Sequence, residues 1–145
     1  MKTLANCKPS EFFKQTYRIK GAVEKWMNVT DIINIRKRMP ELEKIKQGLS
    51  DDERRRIFES NKEKVEEQSR KNMIEILDSA MGEHADETLA ILALCCFVEP
   101  ENVDDHTVDE YLQAISELLS NQAVISFFTS LAQLGLLNTP TVSEA

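Results

Sequence analysis

The longest apolar run of the chain covers residues 88–98 and contains no polar side chain after its first residue. A helix that is apolar on every side is buried on every side, so this run predicts a central buried helix. Asp86 and Glu87 precede it, at the helix end where acidic side chains are stabilising. The pair Glu99-Pro100 ends it, because the residue before a proline is disfavoured in the helical conformation.

Apolar side chains at helical spacing also occur near both ends of the chain. Pro9 suits the first position of a helix, and the apolar stripe that follows predicts a helix to about Asn28. Thr30-Asp31 predicts the cap of a short helix that ends before Pro40. A last helix is predicted to start near Asn121 and to stop at Gly135, with an apolar stripe formed by Val124, Phe127, Phe128, Leu131 and Leu134.

Two capping boxes mark further helix starts, since a Ser or Thr and a Glu three residues later can satisfy each other's backbone amides. Ser50 with Glu53 opens a long charged helix, and Thr107 with Glu110 opens a helix with an apolar face. Residues 51–72 contain little to bury, so we expect this first half of the long helix to protrude or to be mobile. Its second half, from Met73 onward, has a predicted core face made of Ile76, Leu77, Ala80 and Met81.

These patterns predict an all-α protein with five to seven helices in a single domain over residues 1–137. Four glycines and four prolines in 145 residues leave few breaks for strands and turns. The charge-rich segment 41–72 is expected to be its mobile part. Residues 138–145 are predicted to form a disordered tail.

Basic and acidic residues are separated along the chain. Residues 1–50 contain 11 Lys or Arg and 5 Asp or Glu, a net charge of +6. Residues 83–145 contain no Lys or Arg and 11 Asp or Glu, a net charge of −11. Such a separation is typical either of a basic surface for an anionic partner or of two parts of one domain that attract each other.

The sequence shows no catalytic, metal-binding or cofactor-binding pattern, and we expect neither an enzyme nor a bound cofactor. His84 and His106 are the only histidines, so a zinc site would have to recruit Cys95 or Cys96 from the predicted buried helix. Phosphate-binding glycine loops and nucleophile turns do not occur. Three cysteines without a disulfide framework, and no apolar run suited to a signal peptide or a membrane span, favour the cytoplasm.

Several short stretches resemble one family of helical proteins. They are Met1-Lys-Thr-Leu-Ala-Asn-Cys7 with Pro9, Glu11, Phe12, Gln15 and Thr16; Thr30-Asp-Ile with Asn34-Ile-Arg-Lys37 and Pro40; Glu87-Thr with Cys96-Phe-Val-Glu-Pro-Glu101; and Ala123-Val with Phe127-Phe-Thr-Ser-Leu131. With these stretches the chain resembles the tail assembly chaperones of long-tailed bacteriophages and prophages of Gram-positive bacteria. The resemblance spans most of the chain except residues 41–72.

This resemblance implies a non-enzymatic function in the cytoplasm of a bacterial host. The family keeps the long, hydrophobic tape measure protein soluble and helps to recruit tail tube protein around it. The family motif supplies no residue-level binding site, so the stripe Val124, Phe127, Phe128, Leu131 and Leu134 is a candidate on apolar spacing alone. The same stripe could instead pack against the helix at 88–98.

Two other functions remain open at this point. One is a small phage-encoded regulator that contacts nucleic acid through the basic first third of the chain. Its strongest signal is the triplet Arg36, Lys37 and Arg38, but no aromatic side chains interleave with it, and cations in a last helical turn also stabilise the helix dipole. The other is a structural component of the virion.

Overall fold

The computed structural model describes residues 1–134, and within this range every regular element is helical. Six α-helices, one π-helical segment and one 3-10 segment are present, so the predicted all-α fold with five to seven helices is confirmed. The elements are α1 (Pro9–Thr30), α2 (Ile32–Lys37), α3 (Asp51–Leu77), the π-segment (Asp78–Glu83), α4 (Ala85–Cys95), the 3-10 segment (Pro100–Asp105), α5 (Val108–Ser120) and α6 (Gln122–Gln133).

Contacts divide the chain into two units. The first combines Met1–Ala22 with the described chain from Leu89 onward, and the second is Val23–Thr88. The predicted single domain over residues 1–137 and mobile segment 41–72 stay predictions. Gly135, predicted above as the end of the last helix, and the predicted tail at 138–145 lie outside the described residues. Across residues 1–134, no helix combines the length and apolarity needed to cross a bilayer.

Both predicted capping boxes are formed. The Ser50 hydroxyl accepts a hydrogen bond from the Glu53 backbone amide at 3.2 Å, and the Glu53 carboxylate accepts one from the Ser50 amide at 3.3 Å. Thr107 and Glu110 make the same two bonds at the start of α5, at 3.3 and 2.7 Å. Each box satisfies two backbone donors that have no partner inside the helix, which determines where α3 and α5 begin.

The core of the first unit consists of two small apolar clusters. One is centred on Leu4, Leu118 and Val124, and the other on Cys96, Tyr111 and Ala114. The buried Tyr111 donates its hydroxyl to the Val103 carbonyl at 2.8 Å, so its polar end is satisfied inside the core. These clusters hold α5 against the chain that follows α4 and against the N-terminal segment.

The apolar run at 88–98 is less buried than its sequence predicted. Ala93, Leu94 and Cys96 are buried, whereas Leu89 is 39% exposed. The prediction of burial on every side is therefore wrong, because neighbouring side chains enclose only the last turn of α4. The helix also ends at Cys95, three residues earlier than predicted.

The end of α4 is set by a left-handed residue. Phe97 has φ of 56°. The backbone amide of Val98 donates a hydrogen bond to the Ala93 carbonyl at 2.9 Å, and the backbone amide of Phe97 donates one to the Leu94 carbonyl at 3.3 Å. These two bonds form a Schellman motif, in which the left-handed position is usually glycine. The Phe97 ring packs against the cluster of Leu4, Leu118 and Val124, which offsets its backbone strain.

The second unit is organised by a polar network around Thr88. The Thr88 hydroxyl accepts from the Trp26 indole at 2.8 Å and donates to the Ala80 carbonyl at 2.6 Å. The Ser79 hydroxyl donates to the Thr30 carbonyl at 2.9 Å, at the end of α1. The network thus connects the last turn of α1, the π-segment and the start of α4.

The inner side of α3 is also polar. The Asn61 side chain donates a hydrogen bond to the Glu43 carbonyl at 2.9 Å and accepts one from the Glu43 amide at 3.0 Å. The Asn72 side chain donates a hydrogen bond to the Arg38 carbonyl at 3.0 Å. Gln68 in turn donates to the Asn72 side chain at 2.8 Å. These hydrogen bonds from amide side chains hold the irregular connection between α2 and α3 against α3.

The predicted core face of the second half of the long helix is wrong at two of its four positions. Leu77 and Met81 are 44 and 69% exposed, Ile76 is half-buried, and only Ala80 of that set is buried. The inward positions are taken by Asn72 and Ser79, whose side chains bond to backbone carbonyls. These bonds direct the polar side of the helix inward and leave its apolar side exposed.

Two glycine substitutions should change stability in opposite directions. Gly21 lies inside α1 with nothing within 4 Å of an added Cβ, so Gly21→Ala should raise the free energy of unfolding by about 1 kcal/mol. Gly48 has φ of 88°, so Gly48→Ala should lower it by about 1 kcal/mol. Urea denaturation of both variants measures this, and equal shifts would contradict the two assignments.

Removal of the Thr88 hydroxyl should destabilise the protein. Thr88→Val keeps the shape of the side chain but leaves the Trp26 indole donor and the Ala80 carbonyl without their partner, which should cost about 1–3 kcal/mol. Thr129→Val on the exposed side of α6 is the matched control and should change stability by less than about 0.5 kcal/mol. Equal melting temperatures of the two variants would show that the network contributes little.

Candidate partner-binding surface

The N-terminal segment folds into a turn that places its apolar side chains against the first unit. The Asn6 side chain accepts from the Thr3 amide at 2.8 Å and donates to the Met1 carbonyl at 3.2 Å. The Thr3 hydroxyl accepts from the Ala5 amide at 3.2 Å. Because the turn is closed by these bonds, Leu4 enters the core with 8% exposure.

Four phenylalanines from α1 and α6 form one aromatic cluster. The ring centroid of Phe12 lies 5.6 Å from that of Phe13, 5.6 Å from Phe127 and 6.1 Å from Phe128. Phe13 and Phe127 are 6.5 Å apart. These distances and the mostly edge-to-face orientations are favourable for aromatic pairs, so the cluster joins the two helices.

An open groove of about 400 Å³ lies beside this cluster. Its lining is almost entirely apolar and consists of Leu4, Ala5, Cys7, Pro9, Phe12, Phe13, Asn121, Ala123, Val124 and Phe127. Phe13 is 65% exposed and Phe127 is 36% exposed, so two aromatic rings stand at its rim. The volume and the lining are those of a site for an apolar group.

The structure divides the stripe predicted on the last helix between core and surface. Val124 is buried and Phe128 is half-buried, and both belong to the cluster centred on Leu4 and Leu118. Leu131 is half-buried, whereas Phe127 and Leu134 are exposed. The stripe therefore contributes to packing at some positions and to an open surface at others.

Sequence reasoning missed the N-terminal half of the groove. Leu4, Ala5, Cys7 and Phe13 line it, but they fall in a turn and at the edge of a helical stripe, where periodicity gives no signal. The one available hint was the pair Phe12-Phe13, which matches the pair Phe127-Phe128 in the last helix.

Ion pairs support α1 on the side away from the groove. Arg18 binds both carboxylate oxygens of Glu99, at 2.9 and 2.6 Å, and this hydrogen bonding lowers the pKa of the Glu99 carboxyl. Lys2 pairs with Glu11 and lowers the pKa of the Glu11 carboxyl in the same way. The Lys2 ammonium also lies 5.1 Å from the centre of the Phe97 ring. These contacts position α1, and none of them enters the groove lining.

The Cys95 thiol, in the last turn of α4, is not activated as a nucleophile. Burial raises the pKa of the Cys95 thiol to about 11, so it stays protonated and weakly nucleophilic near neutral pH. Within residues 1–134, no three His, Cys, Asp or Glu side chains converge as metal ligands would. The arrangement in the first unit is suited to non-covalent binding of an apolar group.

A larger cavity of about 510 Å³ in the second unit has a different character. It lies between the connection after α2 and the first half of α3, and it is lined by Glu43, Leu49, Glu53, Arg56, Ile57 and Ser60. Only two of these side chains are aliphatic. Because charged walls resist desolvation by an apolar ligand, the groove beside the phenylalanine cluster is the better candidate.

A comparison of the chain with protein families, with curated proteins and with solved structures finds no match.

Substitutions at two phenylalanines of the aromatic cluster, one on α1 and one on α6, should distinguish a core position from a surface position. Phe128→Ser removes a half-buried ring and should lower the free energy of unfolding by about 2 kcal/mol. Phe13→Ser removes a ring that is 65% exposed and should lower it by less than about 1 kcal/mol. Urea denaturation measures both, and an equal loss in the two variants would place Phe13 in the core.

Proposed function

We propose that this protein is a tail assembly chaperone of a phage or prophage, which binds apolar helical segments of a tape measure protein during tail assembly. The observation that carries the proposal is the apolar groove with Phe13 and Phe127 at its rim. The family resemblance given by the sequence supplies the identity of the partner. Tail tube protein is the second partner that this resemblance implies.

The binding step is burial of apolar surface. An amphipathic helix that lies in such a groove places anchors from successive turns against the aromatic rings and Pro9. Each large apolar anchor that leaves water contributes about 1.5–3 kcal/mol before the costs of association. While an apolar stretch of the partner is covered in this way, it is protected from aggregation.

An exposed groove of moderate size also suits release. A chaperone must give up its client when the tail tube forms around the tape measure protein, so its contacts have to remain reversible. A small groove with few anchors gives a short residence time, because affinity differences are mostly differences in dissociation rate.

The nucleic-acid alternative has less support. Arg18 is paired with Glu99 and Arg38 with Glu75, so two cations of the basic first third already have acidic partners. A regulator would lose DNA affinity steeply with added salt, since binding releases counterions from the phosphates. Absence of salt-dependent DNA binding would exclude it.

The proposal predicts that Phe13→Ser impairs solubilisation of the tape measure protein. The chain is co-expressed with the tape measure protein, and the soluble fraction of the latter is measured. Loss of a rim ring should lower that fraction severalfold while the variant itself stays folded, because Phe13 is 65% exposed.

Phe58→Ser is the matched control, since Phe58 is 64% exposed on α3 and does not line the groove. It should leave the soluble fraction unchanged. A folded Phe13→Ser variant that solubilises the partner as well as the unmodified chain would overturn the groove as the binding site.

A further inference from the structure

The hydrogen bonds of the N-terminal turn lie inside the turn. The Thr3 amide donates to the Asn6 side chain, the Ala5 amide to the Thr3 hydroxyl, and the Asn6 amide to the Thr3 carbonyl. The Asn6 side chain donates to the Met1 carbonyl. In the described part of the chain, no backbone group of residues 1–7 is hydrogen-bonded to a residue outside this segment, which we call the flap.

Side chains alone attach the flap to the rest of the first unit. Leu4 is 8% exposed and packs in the same core cluster as Leu118. The Lys2 ammonium pairs with the Glu11 carboxylate and lies 5.1 Å from the centre of the Phe97 ring. Because the Lys2 and Glu11 side chains are 45 and 30% exposed, water screens this ion pair and weakens it. Leu4 is therefore the main anchor of the flap.

Lys8 separates the flap from α1. Its carbonyl accepts hydrogen bonds from the Glu11 and Phe12 amides at 3.0 and 2.9 Å, so it belongs to the first turn of the helix. Pro9 follows at the first helical position, where its fixed φ stabilises the helix start. Rotation of the backbone between Cys7 and Lys8 therefore moves the flap as a unit and breaks no backbone hydrogen bond.

The flap forms one wall of the groove beside the phenylalanine cluster. Leu4, Ala5 and Cys7 line this wall, and the facing lining comes from the starts of α1 and α6. Leu118 lies in the cluster of Leu4 but does not line the groove. When the flap moves away, the groove extends to Leu118 and gains a deeper apolar floor.

We propose that the flap opens about Lys8 and that this movement deepens the groove for a partner helix. Its role in binding rests on the proposed function, whereas its opening is a property of the chain alone. Opening exposes Leu4 to water, which is unfavourable, and an apolar anchor of the partner that takes the place of Leu4 offsets this term. A partner that binds the open form shifts the population toward it.

The opening is tested with a thiol introduced by Leu118→Cys, in a chain in which Cys7→Ser removes the thiol of the flap. Cys96 is the reference, because it is 3% exposed in a cluster that the flap does not enter. A thiol reagent is added under native conditions, peptide mass spectrometry assigns the labelled sites, and each rate is divided by that of the same thiol in the unfolded chain. The introduced thiol should react at least about tenfold faster than Cys96, because local opening needs less free energy than unfolding.

Urea distinguishes flap opening from global unfolding. The logarithm of the Cys96 labelling rate should rise with urea as steeply as global unfolding requires. The slope for the introduced thiol should be less than about half of that, because flap opening exposes little surface. Val124→Cys, a smaller change in the same cluster, is a second reporter that should behave in the same way. Equal normalised rates and equal slopes at the reporter and at Cys96 would overturn the proposal.

The contacts of Lys2 are tested in the reporter chain. Lys2→Gln removes the ammonium that contacts Glu11 and Phe97, so it should raise the labelling rate of the introduced thiol severalfold. Lys14→Gln is the matched control, because Lys14 is exposed on α1 and the loss of charge is the same. Equal labelling rates in these two variants would contradict a flap that Lys2 helps to hold closed.

The role of the flap in binding is tested by co-expression with the tape measure protein. Lys2→Gln should raise the soluble fraction of the partner about twofold over Lys14→Gln, because less free energy is needed to open the groove. No difference between the two variants would overturn this role. Phe13→Ser should leave the labelling of the introduced thiol unchanged, so failure of the groove and failure of the flap are distinguishable.

Discussion

The fold depends on satisfying backbone carbonyls near the ends of its helical elements. The last carbonyls of a helix have no partner inside it, and burial without a partner is costly. Here polar side chains that are distant in sequence supply the donors. The side-chain amide of Gln15, buried in α1, donates a hydrogen bond to the Leu94 carbonyl in the last turn of α4 at 2.5 Å. The Ser79 hydroxyl donates one to the Thr30 carbonyl at the end of α1. The Asn72 side chain does the same for Arg38, just after α2.

This arrangement explains why so much apolar surface remains exposed. Inward positions occupied by Asn72 and Ser79 cannot hold leucine or methionine, so the apolar side chains of the second half of α3 lie outside. In the first unit, two small clusters leave one face of α5 and the groove beside Phe13 uncovered. Exposed apolar stripes of this extent on helices are typical of proteins that act by binding.

The two capping boxes were reliable signals in the sequence, whereas the Asp31 side chain makes no capping bond to α2 and the predicted buried faces were only partly correct. Ser50 and Thr107 begin helices because each capping box involves only four consecutive residues, so nothing distant could override it. Periodicity predicted α1, α5 and α6 for a similar reason. It failed to identify which face is buried in the second half of the long helix, since Leu77 and Met81 look like core residues until the hydrogen bonds of Asn72 and Ser79 to distant backbone carbonyls are known. The groove escaped prediction because three of its ten lining residues, Leu4, Ala5 and Cys7, come from a turn, where periodicity gives no signal.

The groove of the first unit selects a ligand by shape and apolarity. Its lining is almost uncharged, so it can accept many apolar sequences with little regard to their flanking charges. Its two exposed rings, Phe13 and Phe127, come from different helices, α1 and α6, and the centroid of each lies 5.6 Å from that of Phe12. The groove therefore exists only where α1 and α6 are packed together, so a substitution that separates these helices removes the groove together with the core contact.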